Sequence, residues 1–266
     1  MRKIAFVLAS TDHGTLIVNR LDYRLTGADS GFGVGYRLME TGGYEKEEST
    51  VAMQALELRR QHFGDGVVAV DCGANIGVHT VEWANRMTGW GTVVAFEPQE
   101  RLYYALAGNI AIANAFNAHA VQAAVGAQNG EMQIPKPNYL VPGSFGSLEL
   151  RQHPETEYIG QKINYEENLT SVRLMTLDSL NLSRLDLLKI DVERMEVEVL
   201  IGADDTIRRL QPIIIVERMK HPENTITDRL DALGYDWLAM GLNVIAIHPN
   251  DPVHQHLART TSERGA

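Results

Sequence analysis

Residues 67–80 read VVAVDCGANIGVHT. The run Val67 to Val70 is apolar, unbroken and rich in β-branched side chains, which suits a strand buried on both faces. An acid, Asp71, ends it. Gly73 and Gly77 then allow a tight turn and let the backbone come close to a ligand. After Gly77 the pattern turns helical, with Val78, Val81, Trp83 and Ala84 on the new period. A strand, a glycine turn and a helix start leave N–H groups pointing outward, where the helix dipole favours an anionic group. The spacing decides which ligand fits. A dinucleotide site asks for Gly-x-Gly-x-x-Gly, whereas this stretch has Asp71-x-Gly73-x-x-x-Gly77. A carboxylate at Asp71 suits a ligand that carries an amine rather than a phosphate. S-adenosylmethionine (SAM) has that mixed character, with an ammonium, a carboxylate and a ribose. A tight turn with no ligand is the competing reading of this stretch taken alone.

A second stretch narrows the choice. Residues 90–98, WGTVVAFEP, read as the next strand and end in Glu97 before Pro98. A carboxylate at the end of the second strand can accept hydrogen bonds from both ribose hydroxyls. Pro98 suits a helix start, because its missing N–H costs nothing there. Two acids at corresponding places on consecutive strands make a common site the better reading.

The 266 residues suffice for one large α/β domain with additions. A content of 44% apolar and 22% charged residues is that of an ordinary globular chain. The formal net charge of −10 speaks against a nucleic-acid partner. The single cysteine, Cys72, excludes an intrachain disulfide and a cysteine-based zinc cluster. It reads as a small buried residue, since no base accompanies it. No apolar run approaches membrane-spanning length. The start imitates a signal peptide, but its apolar part, Ile4 to Ala9, is short for one and reads better as a strand. A cytoplasmic protein is therefore expected.

Residues 1–50 form an accessory segment: a hairpin, then a mobile or ligand-facing loop with Gly27, Gly31, Gly33, Gly35, Gly42 and Gly43. Ser49 or Thr50 caps a helix that carries Val51, Ala55 and Leu58 on one face. The main domain covers 51–249. Within it, Leu102, Leu106 and Ile110 mark a helix, and Asn109 and Asn114 read as surface or loop-closing amides. A third strand runs from about Ala120 to Val125. Residues 127–170 have no clean period and form either a lid over a substrate or an inert excursion. Ser171 to Met175 is a short strand. Leu185 to Glu193 is a fourth core strand with an acidic end, followed by a helix with Met195, Val199, Leu200, Ala203 and Ile207 inward. Pro212 to Glu217 is a fifth. A helix begins at Asn224 or Thr225 and stops at Gly234, and a hairpin closes the domain. The tail, 250–266, is polar and expected to fray.

Five strands alternating with helices, then a hairpin, give a parallel sheet with an antiparallel edge. Ligands of such sheets bind at the carboxyl ends of the strands. Asp71, Glu97, Asp191, Glu193 and Glu217 all fall there.

These residues resemble the FkbM-type SAM-dependent methyltransferases. The resemblance rests on Val70 to Gly77, Phe96-Glu97-Pro98, Asn109-Ile110 with Asn114, Ala123 to Gly126, Thr176-Leu177-Asp178, Lys189 to Glu193, and Pro212 to Glu217. It covers about residues 64–220. It implies a seven-stranded, Rossmann-like class I fold, SAM as cofactor, and methyl transfer to a hydroxyl of a sugar or natural product. One position departs: the family reads Lys-Ile-Asp-Val-Glu-Gly, and Arg194 replaces the glycine. If that position has positive φ, arginine there costs roughly 1–2 kcal/mol. If the glycine leaves room for substrate, Arg194 narrows the pocket or adds a cation.

On this reading Asp71, Gly73, Ala74, Asn75 and Gly77, with His79 and Thr80 beside them, face the methionine end of SAM. Glu97 holds the ribose, and Ala123 and Ala124 lie against adenine. His79 reads either as a base or, in preference, as a packed or capping side chain. Asp191 and Glu193 stand near the methyl group, one for the ammonium and one as base, and Glu217 is at the site edge or structural. No metal ligand is assigned, although a carboxylate pair holding a divalent cation is the lesser alternative. The acceptor is a small molecule or glycan, and neither membrane nor nucleic acid is an expected partner. Rival functions are a SAM-binding protein with weak or no activity because of Arg194, an RNA methyltransferase of similar fold, and an oxidoreductase, which the absent Gly-x-Gly-x-x-Gly disfavours.

Overall fold

The computed structural model describes residues 3–27 and 30–254. Its centre is a seven-stranded sheet. The parallel strands are β5 (Val67–Cys72), β6 (Gly91–Phe96), β7 (Ala118–Val121), β11 (Leu187–Ile190) and β12 (Ile213–Glu217). The antiparallel hairpin of β13 (Asp236–Met240) and β14 (Asn243–Ile247) closes one edge. The order is β13-β14-β12-β11-β5-β6-β7. This is the Rossmann-like, class I methyltransferase arrangement.

Alternation along the strands feeds two cores, which is why these runs carry no polar face. Val67, Ala69, Leu187, Ile213 and Ile215 pack with Ala52, Ala55 and Leu56 of α2 (Lys46–Phe63) and Trp83 and Ala84 of α3 (Val78–Arg86). Val70, Cys72, Leu188, Ile190, Ile214 and Val216 pack on the opposite face. There they meet α5 (Glu196–Ile201), α6 (Asp204–Leu210) and α7 (Thr225–Ala232). Helix α4 (Glu100–Ile112) connects β6 to β7. Among the described residues, no helix is long and apolar enough to cross a membrane.

Several local expectations change. The third strand divides: β7 stays in the main sheet, and β8 (Ala123–Val125) joins a separate three-stranded sheet. There β10 (Thr170–Met175) lies parallel to β8 and antiparallel to β9 (Gly130–Ile134). The aperiodic stretch 127–170 thus contains a strand at its start, and one 3-10 turn at Phe145–Ser147. The helix expected over Met195 to Ile207 is two, separated at Gly202, where a Cβ would overlap the Gly126 carbonyl oxygen.

The accessory hairpin is present as β1 (Phe6–Thr11) and β2 (Gly14–Asn19). A two-residue ladder, β3 (Arg24–Leu25) with β4 (Gly31–Phe32), follows it. The glycine-rich loop then folds into helix α1 (Val34–Thr41). Gly35 is needed there because a Cβ would overlap the Asn19 carbonyl oxygen. Helix α2 starts at Lys46, so Ser49 and Thr50 lie inside it rather than at its cap. Asn109 is fully buried rather than a surface amide. Its side chain accepts from the Ile17 N–H (2.5 Å) and donates to the carbonyls of Ile17 (3.3 Å) and Ile76 (2.8 Å). It thereby fastens the β2 edge to α4 and the glycine turn. The tail does not fray at once: Asp251 is buried against Arg59. Residues 255–266 of the tail lie outside the described residues.

Candidate active site

The carboxyl ends of β5, β6, β11 and β12 open into a cavity of about 980 Å³. Asp71, Gly73, Ala74, Asn75, His79, Glu97, Ala123, Ala124, Asp191, Glu193 and Glu217 all line it. Gly77 and Thr80 stand behind this wall. Gly77 has φ +85 and turns the chain into α3 against Leu106. Thr80 donates its hydroxyl hydrogen to Asp71 Oδ2 (2.6 Å). That bond aims Asp71, whose Oδ1 is buried without a partner. Gly73 has φ +85, and a Cβ there would overlap the Asp191 carbonyl oxygen. Only glycine lets the β5 turn and the β11 end come together.

Glu97 is buried and its two oxygens accept the N–H groups of Asn75 (3.0 Å) and Gln99 (2.7 Å). Burial raises its carboxyl to about 8, against the pull of those two bonds. Asn75 has φ +53, a left-handed conformation that asparagine tolerates, and this presents its N–H to Glu97.

Lys189 is a buried cation in the central strand. Its ammonium donates to Asp191 Oδ2 (3.1 Å) and lies 3.6 Å from Glu48 of α2. Burial pushes the ammonium down, but Asp191, Glu48, Asp71 and Glu45 together outweigh it and hold it well above the ordinary lysine value. His79 completes this cluster, 3.0 Å from Glu45 and 3.6 Å from Glu48, stacked on Trp83. Burial opposes its protonation, and the Glu45 hydrogen bond with the Glu48 charge overcomes it and raises its value. Packed and ion-paired, His79 is nevertheless part of the cavity wall.

Asp191, Glu193 and Glu217 bring carboxylate oxygens within 4.8 Å of one another. Two ammonium groups already stand among them, Lys220 paired with Glu193 and Lys189 with Asp191. Glu217 keeps one buried oxygen without a partner. Burial and then the Asp191 charge raise Glu217 to about 8.

Arg194 takes φ +78, so the residue in the glycine's place does carry the left-handed backbone. Its side chain turns to the 127–170 segment, toward Glu149 (3.5 Å), Glu155 (3.8 Å) and His153 (2.9 Å). Lys220 also pairs with Glu157 (3.2 Å), which Arg24 of β3 reaches at 2.7 Å. Three cations from three parts of the chain therefore fasten residues 149–157 over this end of the cavity. Lys220, Arg24, Glu149 and Glu157 escape a motif-based reading because folding alone brings them to the site. For Lys189, a lysine inside an apolar strand was the available signal.

The description "Methyltransferase FkbM domain" matches residues 71–240, more than half of the chain. The chain belongs to the FkbM methyltransferase family. It is 27% identical over 168 residues to Methyltransferase 1 of Beauveria bassiana (strain ARSEF 2860), covering 58% of this chain and 66% of that protein. To Methyltransferase sdnD of Sordaria araneosa it is 29% identical over 168 residues, with coverage of 56% and 64%. It spans just under two thirds of the length of these two curated relatives. Among solved structures it resembles Methyltransferase FkbM from Methylobacillus flagellatus KT, at 15% identity and a TM-score of 0.47, over 72% of this chain and 48% of that one.

Proposed function

We propose that this FkbM-family methyltransferase uses SAM to methylate a hydroxyl group of a sugar or other small natural product. The observation that carries the cofactor reading is the unpartnered Asp71 Oδ1, buried at the glycine turn and part of the cavity wall. A buried carboxylate oxygen without a partner is costly unless a ligand satisfies it. An ammonium does so, and a phosphate would be repelled. When bound, SAM supplies a methyl group already activated on a sulfonium.

The chain's own residues do the rest. Asp71 and Asp191 hold the ammonium. Glu97 accepts from the ribose hydroxyls, and Ala123 and Ala124 give a small apolar surface for adenine. Lys220 engages Glu193, so removal of the acceptor's proton falls to Glu217, whose free oxygen and value of about 8 suit a base near neutral pH. Arg24 from the accessory segment and Glu149 and Glu157 from the 127–170 segment line the acceptor side and help exclude water. We place the protein in the cytoplasm, acting on a small molecule or glycan.

The test is incubation with methyl-labelled SAM and a panel of hydroxylated sugars and natural products, with RNA and amine acceptors alongside. Label on a hydroxyl oxygen is the expected result, rising with pH through about 8 as Glu217 ionises. Glu217→Gln should abolish transfer and leave SAM binding intact. Label on nitrogen or RNA, or none with SAM bound, contradicts the reading.

A further inference from the structure

We infer that Lys189 is a positioning residue that aims Asp191 at the ligand's ammonium; the inference rests on the SAM reading above. Lys189 stands between Leu188 and Ile190 in the most enclosed strand of the sheet, and all three are buried. A lysine there is expensive, and an apolar residue of similar volume would serve stability as well or better. Its register partner on the neighbouring strand is Asp71. Its ammonium donates to Oδ2 of Asp191 and lies 3.6 Å from Glu48. Glu48 is itself fixed by Asn243 of β14 and faces His79 of α3. The lysine therefore links α2, α3 and β14 to one carboxylate at the cavity wall. Asp191 is the more exposed partner, with a third of its side chain open. Without Lys189 nothing among the described hydrogen bonds would fix that side chain, because the ammonium is the partner its carboxylate has. Tyr44, Glu45, Glu193, Glu217 and Lys220 also face this cluster, and Lys189 is the cation that hydrogen-bonds Asp191 itself.

The experiment pairs a change in the protein with a change in the ligand. Calorimetry compares S-adenosylhomocysteine with its analogue lacking the α-amino group, on the full chain and on Lys189→Met. The native chain should prefer the amine-bearing ligand by about tenfold or more, the worth of a charged hydrogen bond. Lys189→Met should lose most of that preference, with affinity for the deaminated analogue changed by about twofold at most. Asp191→Asn should behave the same way. If Lys189→Met does not fold, Lys189→Gln gives the same reading, and Lys189→Arg should retain the preference. An equal loss for both ligands would make Lys189 merely structural and overturn the inference. Equal affinity of the native chain for both would overturn it too, together with the ammonium role of Asp71, while SAM binding itself would stand. Binding of neither ligand would remove the SAM reading and the inference together.

Discussion

Arg194 shows how a single position divides conformation from contact. Its backbone is left-handed, and its side chain pairs with Glu149 and Glu155. Glycine removes the backbone cost and the pairs together, whereas alanine removes only the pairs. Arg194→Gly should therefore be more stable than Arg194→Ala by about 1 kcal/mol in urea unfolding. Equal stabilities would contradict the strained conformation. Glu97 makes a different residue-scale claim. Burial raises its folded value from 4.5 to about 8. The folded state thus holds a proton the unfolded chain gives up. The resulting stability is complete below about 4.5 and is lost as pH rises through about 8. Urea unfolding at pH 5.5 and 8.5, spanning most of that window, should show the native chain weakening at the higher pH, and Glu97→Gln should flatten the slope. An unchanged slope in Glu97→Gln would remove Glu97 as its source. The acids at the strand ends were legible in the sequence because each one interrupts an apolar run. Their partners were not. Whether Asp191 meets Lys189, or Glu193 meets Lys220, depends on side-chain directions that spacing does not encode.

At the scale of elements, β5, β6 and β12 were readable because a strand buried on both faces leaves a continuous run rich in β-branched side chains, and β11 because its apolar run is broken by Lys189 alone. The split between β7 and β8 was not, since β8 pairs with β10 about fifty residues later, and non-local pairing leaves no local period. Helix α1 hid behind its glycines, which serve close approach to Asn19 and Asp22 rather than looseness. The same holds for residues 149–157, whose acids look like a solvated run until Arg24, Arg194 and Lys220 are placed around them. Glu157 receives two of these cations. Glu157→Gln should speed tryptic cleavage at Arg151 or Lys162 several-fold with little change in global stability, since surface and half-buried pairs contribute modestly. Cleavage at the native rate would mean that the ion pairs do not hold this segment.

For the whole molecule, the accessory hairpin and Asp251 are built into the domain. Leu16 and Val18 of the hairpin share a core with Leu102, Ala105 and Phe145. Asp22 accepts from the N–H groups of Gly35 and Phe145, both at 2.9 Å, and so joins the accessory segment to the 127–170 segment. At the other end Asp251 and Asp186 share the Arg59 guanidinium, all three buried. Arg184 also pairs with Asp186 (2.8 Å), so two cations face two carboxylates. Removing the Asp251 charge leaves one cation uncompensated, so Asp251→Asn should cost about 3 kcal/mol in urea unfolding, and a loss below about 1 kcal/mol would contradict the role of Asp251 in this cluster. The central claim is that the four strand ends assemble a SAM site around Asp71. Calorimetric titration of the native chain and of Asp71→Ala with SAM tests it most directly. Micromolar binding by the native chain, lost in a folded Asp71→Ala, is the predicted result. No binding by the native chain, or unchanged binding by Asp71→Ala, would contradict it.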